Sequence, residues 1–312
     1  QRQMCIRDSI YISGSNATLF GSELKTALRG WPLEEETLPL SFREYCLFKN
    51  ISTDSWLEQD IAKVRNAFFA YNNEGGFPEI VLTDNMLEKT RILQTYFDTM
   101  LLKDLGEHYE IANLQVLRYF LKRIMSNLTK PTSVRSLHND IKSQGLKVSK
   151  DCLYEWANYA CNIFMFLRIS NYSRSLQKVE SSQPKYYCID NGLRSAVLLP
   201  QSNDDGKKLE NTVFLHLYRH RTPVQQIYYY QGRGECDFVL QSGLDVTHLI
   251  QVTWTLDDAD TRQREINGLL EASAATWCDN LLIITADAAE EFMMESGKTI
   301  RVVPAWKWIL GR

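Results

Sequence analysis

The hydrophobic period of this chain changes once, near residue 225, and that change limits what it can fold into. Over residues 61–219 apolar side chains recur mostly at three- and four-residue intervals, the spacing that gives a helix one buried face. Beyond them, Gln226 to Gln231, Cys236 to Gln241 and Thr247 to Trp254 are rich in Tyr, Val, Ile and Phe and are joined by turns at Gly232, Gly234 and Gly243, which predicts strands. A chain of 312 residues also exceeds the roughly 250 at which one core usually divides. Helices leading into a small mixed sheet make an α/β multidomain protein the expected fold class.

Local signals fill in this outline. Ile10 to Ile12 has strand character and ends in Ser13, Gly14, Ser15 and Asn16, with a helical stretch, Glu23 to Arg29, behind it. In PLSFREYCLF, Pro39 to Phe48, Ser41 is placed to cap a helix and Glu44 completes a capping box. Helices are expected over Ile61 to Tyr71, Asp84 to Tyr96 and Phe97 to Leu105, broken by the Gly75, Gly76, Phe77, Pro78 turn. Three more follow: Leu114 to Leu128, Ser133 to Gln144, and one capped by Ser149 with an apolar stripe from Leu153 through Trp156 to Leu167. Strand-like segments Arg168 to Leu176 and Lys185 to Ile189 then flank a polar tip, which completes the winged-helix order of three helices and a hairpin. The last third continues with helix Lys208 to Arg219, the three strands above, helix Asp260 to Ala272, buried strand Leu281 to Thr285 and edge strand Ile300 to Val303.

Composition excludes several classes. With 44% hydrophobic and 23% charged residues the chain is too apolar for disorder. Its longest uncharged apolar stretch, Trp156 to Leu167, is too short to span a bilayer, so no membrane partner is expected. Seven cysteines are scattered singly without a CxxC pair, which favours free thiols and a cytoplasmic location. The start, Gln1 to Ser9, lacks the apolar run of a signal peptide and resembles a translated adapter sequence, so residues 1–9 are expected to be a non-native leader and the native chain to begin upstream. Charge is uneven: within an overall −3, residues 111–190 hold 12 Lys/Arg against 5 Asp/Glu, leaving −10 elsewhere. A basic middle suits either a module that meets a polyanion or a solvated helical face.

No GxxxxGK[ST] phosphate loop is present; Gly297, Lys298 and Thr299 imitate its end, but Phe292 stands at the first glycine position. Asn16, at a strand exit, is either a turn former or a sensor of nucleotide phosphate. His216 and His220 have a helical zinc-ligand spacing without an evident third ligand. The richest pattern lies in the last third, where Glu210 on a helix, Asp237 on the second strand and Gln251, Val252, Thr253 on the third have the layout of a metal-dependent nuclease. That chemistry needs carboxylates to hold Mg²⁺ and a lysine to steady phosphate or activate water. Gln251 stands where a carboxylate is needed and Thr253 where the lysine is needed, so a degenerate, inactive site is expected, with Glu235, Arg262 and Arg264 as the residues able to compensate.

Taken together, GSN (14–16), PLSFREY (39–45), GGFPE (75–79), KYYCIDNGL (185–193), ENTVF (210–214), ECDF (235–238), Gln251 with Val252, and Arg264 with Glu265 resemble the prokaryotic AAA-type ATPases that carry a C-terminal DUF 4143 domain. That resemblance implies the end of an AAA core and a helical lid over residues 10–110, a winged helix over 111–190 and a restriction-endonuclease-like domain over 191–312. It implies that Asn16 senses nucleotide, with Arg29 reaching a neighbouring subunit's site. It further implies that ATP and Mg²⁺ serve a full-length parent, with no cofactor for this chain alone.

The expected function is therefore DNA association through the winged helix beside an inactive nuclease-like domain. Lys142, Lys147, Lys150, Arg174, Lys178 and Lys185 are the expected contacts to double-stranded DNA. The alternatives are an active Mg²⁺-dependent nuclease, and a module that binds a partner protein or a second copy of itself.

Overall fold

The computed structural model describes residues 35–55, 57–199, 204–294 and 297–311. Among them, twelve α-helices, one π-helical segment and two sheets make a mixed α/β protein. Asn16, Arg29 and the expected elements Ile10 to Ile12 and Glu23 to Arg29 lie outside the described residues.

Helix α1 (Phe42–Phe48) begins where expected: Ser41 Oγ accepts from Glu44 N at 3.3 Å and the Glu44 carboxylate accepts from Ser41 N at 2.7 Å. Next come α2 (Glu58–Glu74), α3 (Pro78–Leu82), α4 (Met86–Thr99) and a π-helical segment, Met100–Glu107, that buries Leu101 and Leu105. Helices α5 (Leu114–Ser126), α6 (Val134–Ser143) and α7 (Lys150–Asn162) are capped by Asn113, Ser133 and Ser149, whose side chains accept from the first-turn amides. Strands β1 (Phe166–Ile169) and β2 (Lys185–Cys188) pair antiparallel, with α8 (Leu176–Glu180) in the loop between them.

The first strand of that pair is shorter than Arg168 to Leu176. After Ile169 the backbone leaves β2 for another sheet: Tyr172 N donates to Tyr229 O at 2.6 Å, and Tyr229 N donates to Ser170 O at 3.1 Å. Helix α9 (Asn191–Val197), which no periodicity announced, is capped by Asp190. Helix α10 (Asp204–His220) leads into the six-stranded sheet β3 (Gln225–Gln231), β4 (Glu235–Ser242), β5 (Asp245–Val252), β6 (Leu281–Thr285), β7 (Glu290–Met293) and β8 (Thr299–Pro304), with α11 (Ala259–Thr276) after β5 and α12 (Ala305–Leu310) at the end. The spatial order is β3-β4-β5-β6-β8-β7, with β5–β6 and β6–β8 parallel and the other pairs antiparallel. The segment expected as an edge strand, β8, is thus interior. The edge is β7, whose first residues, Glu290 and Glu291, are exposed and hide the strand from a reading based on apolar alternation.

One apolar cluster runs from Phe42 to Leu310, filling the helical region and one face of the sheet; a second, built on Leu249, Ile266, Leu269, Ile283 and Ile300, fills the space beneath α11. The boundary drawn after residue 190 is a packed junction. Asp190 accepts from Gly76 N at 2.6 Å and Leu193 N at 3.1 Å, and Asn191 donates to Asn72 O at 3.0 Å and Thr212 Oγ1 at 2.9 Å. Burial raises the Asp190 carboxyl to about 6, against the pull of the backbone amides around it.

Helix α11 lies so close to the start of β4 that a Cβ on Gly268 would sit 2.0 Å from Glu235 O. Gly268→Ala must push helix and strand apart, an expected loss of about 1–3 kcal/mol measurable as a lower denaturant midpoint. An unchanged midpoint would show that the helix can slide away freely.

Candidate functional site

Strand alternation, two helices and the first residue of β2 bring six polar side chains together. Asp237 and Glu235 lie two residues apart on β4 and so share a face of the sheet. Glu210 projects from α10, Gln251 from the neighbouring strand β5 and Glu265 from α11. Lys185, the first residue of β2, enters from the two-stranded sheet and is fully buried.

The lysine ammonium stands 2.6 Å from Glu235 Oε1, 3.1 Å from Asp237 Oδ1 and 3.4 Å from Glu210 Oε1. It also lies 5.4 Å from the centre of the Tyr229 ring. The second oxygen of Asp237 accepts from Val252 N at 2.9 Å, while Asp237 N donates to Gln251 Oε1 at 3.1 Å. The Gln251 amide donates to Glu265, whose other oxygen accepts from Arg264 at 2.7 Å. Tyr187, two residues along β2 from the lysine, donates to Glu210 Oε1 at 2.9 Å and stacks on Phe214 with centroids 3.9 Å apart.

Electrostatics follow from this crowding. Burial alone would lower the Lys185 pKa, but Glu210, Asp237 and Glu235 outweigh it and hold the ammonium well above the ordinary lysine value. Burial and the neighbouring Asp237 charge raise the Glu210 carboxyl despite the lysine and the Tyr187 hydroxyl. Glu265 is raised for the same first two reasons, with Arg264 and Gln251 pulling the other way. The centre therefore carries its own cation, held by Glu235, Asp237 and Glu210.

Sequence reasoning placed Glu210, Asp237 and Gln251 together, and the structure brings them together. Lys185 requires correction: it is not a surface contact for a phosphate backbone, because its charge is consumed inside the protein. Arg262 does not compensate either, since it pairs with Glu290 at 2.8 Å on the surface, and Arg264 reaches the centre only through Glu265. Tyr187, Glu265 and the buried role of Lys185 were not assigned to the site, although KYYCIDNGL and Arg264 with Glu265 stood out as motifs. Lys142, Lys147, Lys150, Arg174 and Lys178 are all exposed, the first three on α6, the turn after it and the start of α7. His216 and His220 face one another at 4.2 Å between ring centres, His216 packed on Trp308 and kept neutral by burial, which lowers it to about 3. No helix among the described residues is long and apolar enough to cross a membrane.

Comparison with known proteins corrects the family. Residues 65–204 match a domain of unknown function, DUF8612. An uncharacterized protein of Methanocaldococcus jannaschii, MJ1544, is 32% identical over 97% of this chain and 69% of its own length. An uncharacterized protein of Haemophilus influenzae is 29% identical over 96% of this chain and 70% of its own. These matches overturn the assignment to AAA-type ATPases with DUF 4143, and the ATP and Mg²⁺ expected of a parent rested on that resemblance alone. No solved structure matches significantly.

Two variants probe the buried centre. Lys185→Met leaves three carboxylates without their cation, an expected loss of about 3–5 kcal/mol in denaturant unfolding at neutral pH, partly recovered on acidification as the carboxylates take up protons. Glu210, whose folded pKa lies above 4.5, contributes stability that is fully present below pH 4.5 and lost as pH rises through the folded value. Glu210→Gln should flatten the stability profile above pH 4.5, and an unaltered slope would show that Glu210 does not hold its proton in the folded state.

Proposed function

The chain belongs to the same family as the archaeal protein MJ1544, and from that premise we propose that it docks on double-stranded nucleic acid, with a carboxylate centre that is structural rather than nucleolytic. The observation that carries this reading is a set of exposed cations, Arg135, Lys142, Lys147 and Lys150, that have no ion-pair partner among the described residues. They sit on α6, the turn that follows and the first residue of α7, opposite the buried Val134, Leu137 and Ile141. Three helices followed by an antiparallel pair of strands also support a winged-helix reading of residues 111–190.

Charge directs the approach. The exposed face of α7 beyond Lys150 carries Asp151 and Glu155, so phosphates meet the protein through α6 and the turn, and not through the middle of α7. The α10 and β4 carboxylates supply a nuclease-like layout, but the Lys185 ammonium already stands among them as their cation, and Gln251 supplies no further negative ligand. Metal-assisted hydrolysis needs a cation with open positions for water and phosphate, which a buried ammonium cannot offer.

Anisotropy of a labelled duplex at several salt concentrations tests the reading. The chain should bind, and Lys142→Glu with Lys147→Glu and Lys150→Glu should weaken binding and reduce the salt slope by roughly 0.9 for each phosphate that the protein no longer neutralises. Duplex incubated with Mg²⁺ should stay intact. Unchanged affinity and slope in the triple variant would overturn the docking surface, and cleavage abolished by Asp237→Ala would overturn the inert centre.

A further inference from the structure

Trp277 ends α11 in the left-handed region, φ 61° and ψ 28°, with its N–H donating to Ser273 O at 2.8 Å. Helices usually place glycine in this conformation, because a side chain there crowds its own backbone. A tryptophan is a poor choice for the fold, and the ring is not recovered by burial, since the residue is 78% exposed. The indole instead meets one charged group: the Arg174 guanidinium, from the loop between β1 and β2, lies 4.0 Å from its ring centre.

Two elements distant in sequence thus build a flat aromatic surface with a cation against it. Tyr172, two residues before Arg174, packs edge-on against Tyr228 at 5.9 Å in the same loop region. Lys178 stands in that loop, and Arg233 lies in the β3–β4 turn, which is fixed to α11 by Arg233 N and Gly234 N donating to Glu271. Glu271 precedes Trp277 by six residues, about 9 Å along the helix. Arg174, Lys178 and Arg233 are exposed and have no ion-pair partner among the described residues.

We propose that Trp277 and Arg174 form a binding site for single-stranded nucleic acid, an unpaired base stacking on the indole while Arg174, Lys178 and Arg233 meet its phosphates. Base stacking on aromatic side chains is tolerant of sequence and needs an exposed ring beside a cation, which Trp277 and Arg174 supply. An apolar protein partner would bury the ring but leave three cations uncompensated. The site shares a ligand class with the duplex-docking reading but none of the α6 and α7 cations that carry it; Arg174 and Lys178, expected from sequence to meet duplex DNA, are assigned here instead, so each reading can fail alone.

The test uses labelled oligo(dT) in anisotropy and in tryptophan-fluorescence quenching. Trp277→Gly is the informative variant, because glycine accepts the left-handed conformation and the fold should be as stable or more so, read by thermal unfolding. It should weaken oligo(dT) binding about tenfold or more and remove the Trp277 share of the quenching, whereas Trp277→Phe should lose the same share of the signal but retain much of the binding read by anisotropy. Arg174→Ala should weaken binding in the same direction. If Trp277→Gly binds oligo(dT) as tightly as the parent chain, or if the parent chain does not bind it at all, the proposal is overturned. Duplex binding lost only in the α6 lysine variant, and single-strand binding lost only in the Trp277 and Arg174 variants, would establish two separate surfaces.

Discussion

A lysine ammonium with no access to water must find negative charge, and Lys185 finds three carboxylates from two other elements. Desolvating these ions costs several kcal/mol each, so the cluster adds little net stability over an apolar core of the same volume. Its effect is on register. A slip of one residue in β2 would turn the lysine to the opposite face, and a slip in β4 would remove Glu235 and Asp237 together, leaving charge buried without a partner. Asp237 extends the constraint to β5 through Val252 N, and Tyr187 extends it to α10 through Glu210. One point charge thereby fixes how the two-stranded sheet sits on the six-stranded one.

A second polar junction fixes the helical region to the same body. Asp190 grips the amide of Gly76, and Asn191 bridges α2 and α10, so the residues around Gly75 and Gly76 must pack without a side chain between them and the Asp190 carboxylate. A Cβ on Gly75 would lie 2.0 Å from Asp190 Oδ1, and one on Gly192 would lie 1.9 Å from Glu74 O. The DUF8612 match, residues 65–204, begins inside α2 and ends at the first residue of α10, and so contains Asn72, Gly76, Asp190 and Asn191 but not Thr212, and none of strands β3 to β8.

What could be read from sequence was what is decided locally. The Ser41–Glu44 capping box, the Ser149 cap and the stripe of α5 depend on residues a few positions apart, and the structure has them where the sequence placed them; the stripe expected to run from Leu153 to Leu167 is cut short, because α7 ends at Asn162 and Leu167 lies on β1. Glu210, Asp237 and Gln251 were legible as a group because the order helix, strand, strand brings them together whatever the loops do. Lys185 was not, since its partners lie 25, 50 and 52 residues away and a lone lysine in a basic segment resembles its solvated neighbours. The edge position of β7 was illegible for the opposite reason: its acidic residues answer to solvent, not to a core. The family was misassigned because short motifs were matched without the sequence between them.

The loop that leaves β1 to hydrogen-bond Tyr229 occupies backbone groups that an outer strand would otherwise expose. At the far side of the sheet, β7 presents Glu290 and Glu291 to any approaching strand. A sheet with one border occupied and the other negatively charged is a poor template for another copy's strand, in the native state or during a partial opening. Assembly of this protein with itself would therefore proceed through helical faces and side chains, and its tolerance of high concentration would depend on keeping Ser170 to Tyr172 in place.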